Sequence, residues 1–373
     1  MKMKDPRFEK LAKLIVSHSV NLQPGEHALI RADVEAIPFV KVLVREIYNA
    51  GAIPHVRLGH EEISREILMG VDDKYYDFEA KWNKQVYEDV DAVISIYAEL
   101  NDSATQDVPF ANKVLAAKRM RPVSDIIIKH KKWTLLNYPT YGLAQKAKMS
   151  YDAFFDFLFD VCTVDYQKMK EAFIPLKELM ERTDKVRITG PGTDLTFSIK
   201  GIPAIPCYGT NNIPDGEIFT APVKESVNGV IRYNTASPYQ GIVFNNVELT
   251  FENGKIVKAT ADNHQDKLEE IFNTDEGARY VGEFAIGVNP KILHPMGDIL
   301  FDEKIAGSIH FTPGQCYEGE ADNGNKSAIH WDLVLIQRPE YGGGQIYFDD
   351  VLIRDNGIFV LDTLKGLNPE NLK

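Results

Sequence analysis

The feature that most restricts what this chain can fold into is a change of pattern about halfway along it. Up to Thr183, short apolar runs that read as strands alternate with stretches of helical periodicity; beyond it, short strands are joined by tight turns. The strand-like runs of the first half are Glu26 to Arg31, Ile53 to Leu58, Ala92 to Tyr97 and Trp133 to Tyr138, with helices predicted at Asp5 to Val20, Ile37 to Asn49, Asp73 to Asp89 and Pro109 to Lys118. Gln23-Pro24-Gly25 turns the chain after the first helix, and Gly51 stops the second. Strands separated by helices of this length pair in parallel, so residues 1–183 are expected to form an α/β domain with a mostly parallel sheet. No Gly-x-Gly-x-x-Gly or Walker lysine loop follows any of these strands, so nucleotide binding has no support.

Three further helices, about Tyr141 to Lys148, Ser150 to Val161 and Asp165 to Glu181, close the first half. The aromatic run Tyr151, Phe154, Phe155, Phe157 and Phe159 has helical spacing and reads as packing between helices or domains. His55, His60, Glu61 and Glu62 make the one dense ligand-type cluster of this half; acidic residues favour a helix's first turn, so it reads as a solvated loop and helix start.

From residue 184 the turns dominate. Gly190-Pro191-Gly192 joins Lys185–Thr189 to Leu195–Ile199, Asn253-Gly254 joins Val247–Phe251 to Lys255–Ala259, and Asp355-Asn356-Gly357 marks a third hairpin. With one helix at His264 to Phe272, residues 184–373 are expected to be an α+β domain with mainly antiparallel strands.

The net charge of −12 and pI of about 5.3 argue against nucleic acid or an anionic membrane as the main partner, since both call for a basic footprint. A ligand carrying an amine remains compatible. Cys162, Cys207 and Cys316 are odd in number and far apart, which supports neither a disulfide framework nor a Cys-x-x-Cys zinc site. With no apolar stretch of membrane-spanning length or secretory pattern, a reducing cytoplasmic setting is expected.

Chemistry gathers in the second half. In Ser327-Ala-Ile-His330-Trp-Asp332-Leu-Val334 a strand would point His330 and Asp332 the same way, forming a pincer suited to Zn²⁺, Co²⁺ or Mn²⁺. Taken alone, such a pair is more often an ordinary hydrogen-bonded couple on a half-exposed strand. Glu217 follows the turn Pro214-Asp215-Gly216 and opens an apolar strand; Glu283 does the same in Val281 to Gly287, and His310 lies beside apolar residues in Ala306 to Phe311. A carboxylate placed there is costly unless it binds something. These five residues exceed what one catalytic zinc needs and fit two metals sharing a carboxylate, although unrelated salt-bridge partners would give the same pattern.

The order of motifs Ile213-Pro-Asp-Gly-Glu-Ile-Phe-Thr-Ala-Pro222, Gly282-Glu-Phe-Ala285, Leu300-Phe-Asp-Glu303 ahead of His310, and Ser327-Ala-Ile-His-Trp-Asp332 resembles the M29 metalloaminopeptidases. The chain departs from that family's pattern at Thr312 to Gln315 and in the spacings from Glu303 to His310 and from His310 to His330. The resemblance implies a metal-dependent aminopeptidase that releases N-terminal residues from peptides with a free N-terminus, by water activated on two divalent ions (Zn, Co or Mn). It implies Glu217, Glu283, Glu303, His310, His330 and Asp332 as metal ligands, with Tyr317 as active-site tyrosine and Glu217 and Glu283 sharing in catalysis. A homodimer is implied as well. A dinuclear amidase acting on another small amide, or a non-catalytic peptide- or metal-binding protein on the same scaffold, are the alternatives.

Overall fold

The computed structural model describes residues 5–319 and 321–373, which divide into two compact units. The first runs to Thr163 and includes Gly209–Ile213; the second comprises Val164–Tyr208 and Pro214–Lys373. The line expected after residue 183 therefore falls at the far end of the helix Tyr166–Arg182, which packs as part of the second unit. Its buried face of Tyr166, Met169, Phe173, Leu176 and Met180 explains why: such a stripe stays with whatever covers it.

The first unit is the expected α/β fold. Its five strands lie in the order Ile53–Gly59, His27–Asp33, Ala92–Tyr97, Lys132–Asn137 and Asn212–Ile213, all paired in parallel. Helices Ile37–Asn49, Asp73–Asp89 and Phe110–His130 supply crossovers, and Leu29, Val93, Tyr87, Val90, Val123 and Ile127 form one core between sheet and helices. The helix expected to end near Lys118 continues through Pro122 to His130. The fifth strand is a late return of the chain after the second unit has begun. The aromatic run packs within this unit, with Phe8 lying against Phe155 and Phe159 at 6.1 and 5.4 Å between ring centroids. His60 caps the helix Glu61–Gly70 and pairs with Glu35, in keeping with a helix start.

The second unit carries the three expected hairpins within an eight-stranded antiparallel sheet. A second antiparallel sheet of five strands runs in the order Val334–Ile336, Ser308–Pro313, Val281–Gly287, Glu217–Thr220 and Ile205–Cys207. Side chains alternate between the faces of a strand, and the register fixes which residues share a face. One face presents Phe284 and Phe311, which pack edge-on and tilted against Phe197 of the larger sheet at 5.0 Å each; Phe251 joins at 5.9 Å. Burial of that layer holds the sheet flat against its neighbour and commits every alternate residue to the opposite face.

Candidate metal centre

On that opposite face the register aligns Glu217 with Gly287, Phe219 with Ala285, Ala285 with His310, Glu283 with Thr312 and His310 with Val334. Glu217 and His310 thus lie two strands apart, close to 10 Å at ordinary strand spacing. Their side chains still approach to 3.6 Å, because the strand between them contributes only Ala285 and Gly287 at these positions. Glu217 itself is delivered by the turn ending in Gly216, whose φ of +131° and 3.1 Å clearance from Asn289 leave no place for a side chain.

His330 and Asp332 reach the same place by a route that differs from the expected strand. His330 forms only an isolated bridge with Gly314, and regular pairing begins at Val334. Trp331 is the anchor. It is buried between Tyr239, Phe244 and Phe272, with ring centroids 5.0, 5.1 and 6.0 Å away, so its two neighbours are turned the other way. Gly314, at φ +107°, lets this segment come close; a Cβ there would lie 2.2 Å from the Ile329 carbonyl.

All six residues expected as ligands converge. His310 Nε2 lies 3.1 Å from Glu283 Oε1 and 3.6 Å from Glu217 Oε2, while His330 Nε2 lies 3.4 Å from Glu283 Oε2 and 3.2 Å from Asp332 Oδ1. Potential ligand atoms of Glu283, His310 and Asp332 fall within 4.8 Å of one another, as do those of Glu217, Glu303 and His310. His310 is common to the two groups. Tyr317, roughly half exposed, stands at the rim with its ring 5.6 Å from His330 and 4.9 Å from Phe219.

Three supporting groups lie outside the set expected from the sequence. Thr312 donates its hydroxyl to Asp332 Oδ1 at 2.7 Å; as the second residue after His310 on one strand, it could have been found by alternation. The Gln315 carbonyl accepts from His330 Nδ1 at 2.8 Å. Because a carbonyl only accepts, that bond keeps a proton on Nδ1 and turns Nε2 toward the carboxylates, where it donates when the ring is protonated and offers a lone pair when the ring is neutral, as in metal-ligating histidines. Lys304 is fully buried and pairs with both Glu303 and Glu217.

The electrostatics describe a place built for positive charge. Four carboxylates, Glu217, Glu283, Glu303 and Asp332, face a single fixed cation, Lys304. Burial raises the pKa of Glu217, with Lys304 and His310 pulling against it. Burial also opposes ionisation of Glu283 and Asp332, yet hydrogen bonds from the histidines outweigh it for Glu283, and the charge and hydrogen bond of His330 do so for Asp332, holding both below their ordinary values. Burial would lower both histidines, but the carboxylates overcome it and raise His310, and raise His330 well above its ordinary value. Partial loss of solvent, followed by repulsion from Glu283, Asp332 and Glu217, raises the pKa of the Tyr317 phenol, which stays protonated. Cys207 also neighbours Glu217, but burial holds its thiol well above the usual value and it offers no thiolate.

Imidazole nitrogens facing carboxylate oxygens, together with the buried Glu217 Oε2 that lacks a hydrogen-bond partner among the described residues, form a donor set suited to a divalent cation of borderline hardness once the rings give up their protons. The fold and this site define a protein with a candidate centre for divalent metal on one face of a buried antiparallel sheet. The chain matches the thermophilic metalloprotease (M29) family over residues 4–342, and it belongs to that family. It is 25% identical to Aminopeptidase 2 of Geobacillus stearothermophilus, with 89% of this chain and 92% of the relative covered. Identity is 26% to Aminopeptidase T of Thermus thermophilus and 27% to Aminopeptidase AmpS of Bacillus subtilis, covering 88% of this chain and 92% of the relative in both cases. The solved structure of wild-type AmpT from Thermus thermophilus has the same fold, with a TM-score of 0.81, 22% identity and coverage of 95% of this chain and 99% of that one.

Proposed function

We propose that this metalloprotease-family member is an aminopeptidase that releases N-terminal residues from peptides with two divalent ions, zinc, cobalt or manganese, held by Glu217, Glu283, Glu303, His310, His330 and Asp332. The observation that carries the reading is the convergence of these six side chains on one sheet face, in a chain whose relatives are named aminopeptidases. Such ions, when bound, lower the pKa of water toward neutrality and polarise a scissile carbonyl.

The chain's own residues do the rest. Glu283 turns one oxygen to His310, which both ligand groups share, and the other to His330, which would suit it to join the two positions. Glu217, whose pKa burial raises, takes the proton of the attacking water and returns it to the leaving amine. Tyr317, held protonated at the rim, donates a hydrogen bond to the developing oxyanion. The excess of carboxylates offers a countercharge to the free ammonium of the substrate, which directs cleavage to the N-terminus. We read the enzyme as cytoplasmic, in keeping with three free cysteines, and as a homodimer, the state the family resemblance implies. Among the described residues no helix is long and apolar enough to cross a membrane.

Leucine p-nitroanilide and its N-acetylated analogue test this reading. Release from the free-amine compound alone, abolished by a chelator and restored by Co²⁺, Zn²⁺ or Mn²⁺, is expected; equal release from the acetylated compound would contradict an aminopeptidase.

A further inference from the structure

Lys304 is fully buried at the bottom of the candidate centre, and its ammonium lies 3.5 Å from Glu217 Oε1 while also contacting Glu303. The surrounding backbone drives it there. Asp302 accepts from the backbone N–H groups of Met296 and Gly297 at 2.6 and 3.0 Å, and the Lys304 carbonyl accepts from Asn289 N–H at 2.9 Å. Gly287 lets this segment press onto the sheet: a Cβ there would stand 2.6 Å from the Ile305 carbonyl and 2.9 Å from that of Glu303. The lysine is thus built into the site.

Its position separates the two ligand groups. Glu283, His310, His330 and Asp332 make no ion pair with Lys304 among the described residues, whereas Glu217 and Glu303, two of the three members of the other group, both do. Glu217 Oε2, buried and without a hydrogen-bond partner among the described residues, points away from the ammonium toward His310, so the second group retains donor atoms aimed inward. A divalent ion entering there meets a fixed positive charge a few ångströms away, and at buried sites such repulsion weakens binding on the order of a hundredfold or more.

Resting on the two-ion reading of the centre, we propose that Lys304 is an internal cation that makes the two metal positions unequal. The position of Glu283, His310, His330 and Asp332 binds its ion tightly. The position of Glu217 and Glu303 fills only when its ion pushes the ammonium off these carboxylates. Lys304 is a positioning residue, acting through Glu217 and Glu303, and it sets the metal concentration at which the second ion arrives.

Calorimetric titration of the chelator-treated full chain with Co²⁺, followed in parallel by its visible absorption, tests this. Wild type is expected to bind one ion tightly and a second at least about tenfold more weakly. Lys304→Met and Lys304→Gln should tighten the second step by on the order of tenfold or more while leaving the first within about threefold. Two ions of equal affinity in wild type would overturn the proposal, and that measurement needs no variant to fold. A second step unchanged in both variants, or first and second steps changed alike, would also overturn it while leaving the aminopeptidase reading intact. Failure of wild type to bind any Co²⁺ would remove both.

Discussion

Two histidine pairs separate structure from site in this molecule. In the first unit His27 Nδ1 and His55 Nε2 lie 2.9 Å apart with rings stacked at 5.1 Å, on the solvent side of a parallel pair of strands. In the second, His310 and His330 sit among four carboxylates on a buried sheet face. The first pair satisfies itself at the surface, and among the described residues no group of metal-holding geometry forms around it. The second pair is held by a backbone that spends glycines, a buried tryptophan and a buried lysine on its placement. Proximity of imidazoles alone gathers no ligand set; acceptors converging on a buried sheet face do.

The largest contrast should come from deleting one member of each pair. His310→Ala is expected to lower turnover of leucine p-nitroanilide on the order of 10⁴-fold and to reduce bound metal, whereas His55→Ala should alter neither and shift stability by less than about 0.5 kcal/mol. Comparable losses in both variants would erase the distinction. Next in size, Tyr317→Phe should retain its metal and lose about 10²–10³ in kcat, since it removes one donor to the oxyanion. A variant with normal kcat would take the tyrosine out of the mechanism.

Gly314→Ala tests whether the second pair depends on backbone closeness. The Ile329 carbonyl blocks a Cβ and the backbone has φ +107°, so unfolding free energy should fall by about 2–3 kcal/mol, with His330 displaced and metal affinity reduced. Denaturant unfolding with and without metal reads both effects.

A pH series on metal-free protein sharpens the comparison further. The raised pKa values of His310 and His330 mean that their contribution to stability is complete below the unfolded value near 6.5 and is lost as pH rises through their folded values. Glu283 and Asp332, held below their ordinary values of 4.5 and 3.8, contribute above those values and lose that contribution as pH falls through the folded ones. Metal-free Tm should therefore decline above about pH 6.5, and saturating Zn²⁺ should remove most of that decline by taking the place of the protons. A decline that persists undiminished with metal would contradict the assignment. His60→Ala should have a small effect, costing about 0.5–1 kcal/mol through loss of a helix cap and leaving metal binding untouched.

What could be read in the sequence follows from how local each signal was. The α/β half is announced by alternating runs, and the hairpins by Asn253-Gly254 and Asn356-Gly357, because turns and periodicity are properties of neighbouring residues. Strand alternation likewise put Glu217, Glu283 and His310 in apolar strands from which a carboxylate or imidazole must reach a partner. Lys304 was hidden because Asp302-Glu303-Lys304 looks like an ordinary charged surface; only tertiary packing over Gly287 buries it. Asn212–Ile213 is too short to announce itself as a strand and joins the first unit from far along the chain. The helix Phe110–His130 runs past the expected end near Lys118 and through Pro122, held by the packing of Val123 and Ile127 against the sheet.

The most direct test of the central claim is anomalous diffraction at the cobalt edge from crystals of the Co²⁺-loaded protein. A strong peak is expected about 2.0–2.3 Å from side-chain atoms of Glu283, His310, His330 and Asp332, with a weaker one beside Glu217 and Glu303 that strengthens at higher Co²⁺. Loaded crystals with no peak between these side chains, or with cobalt bound elsewhere on the chain, would contradict it.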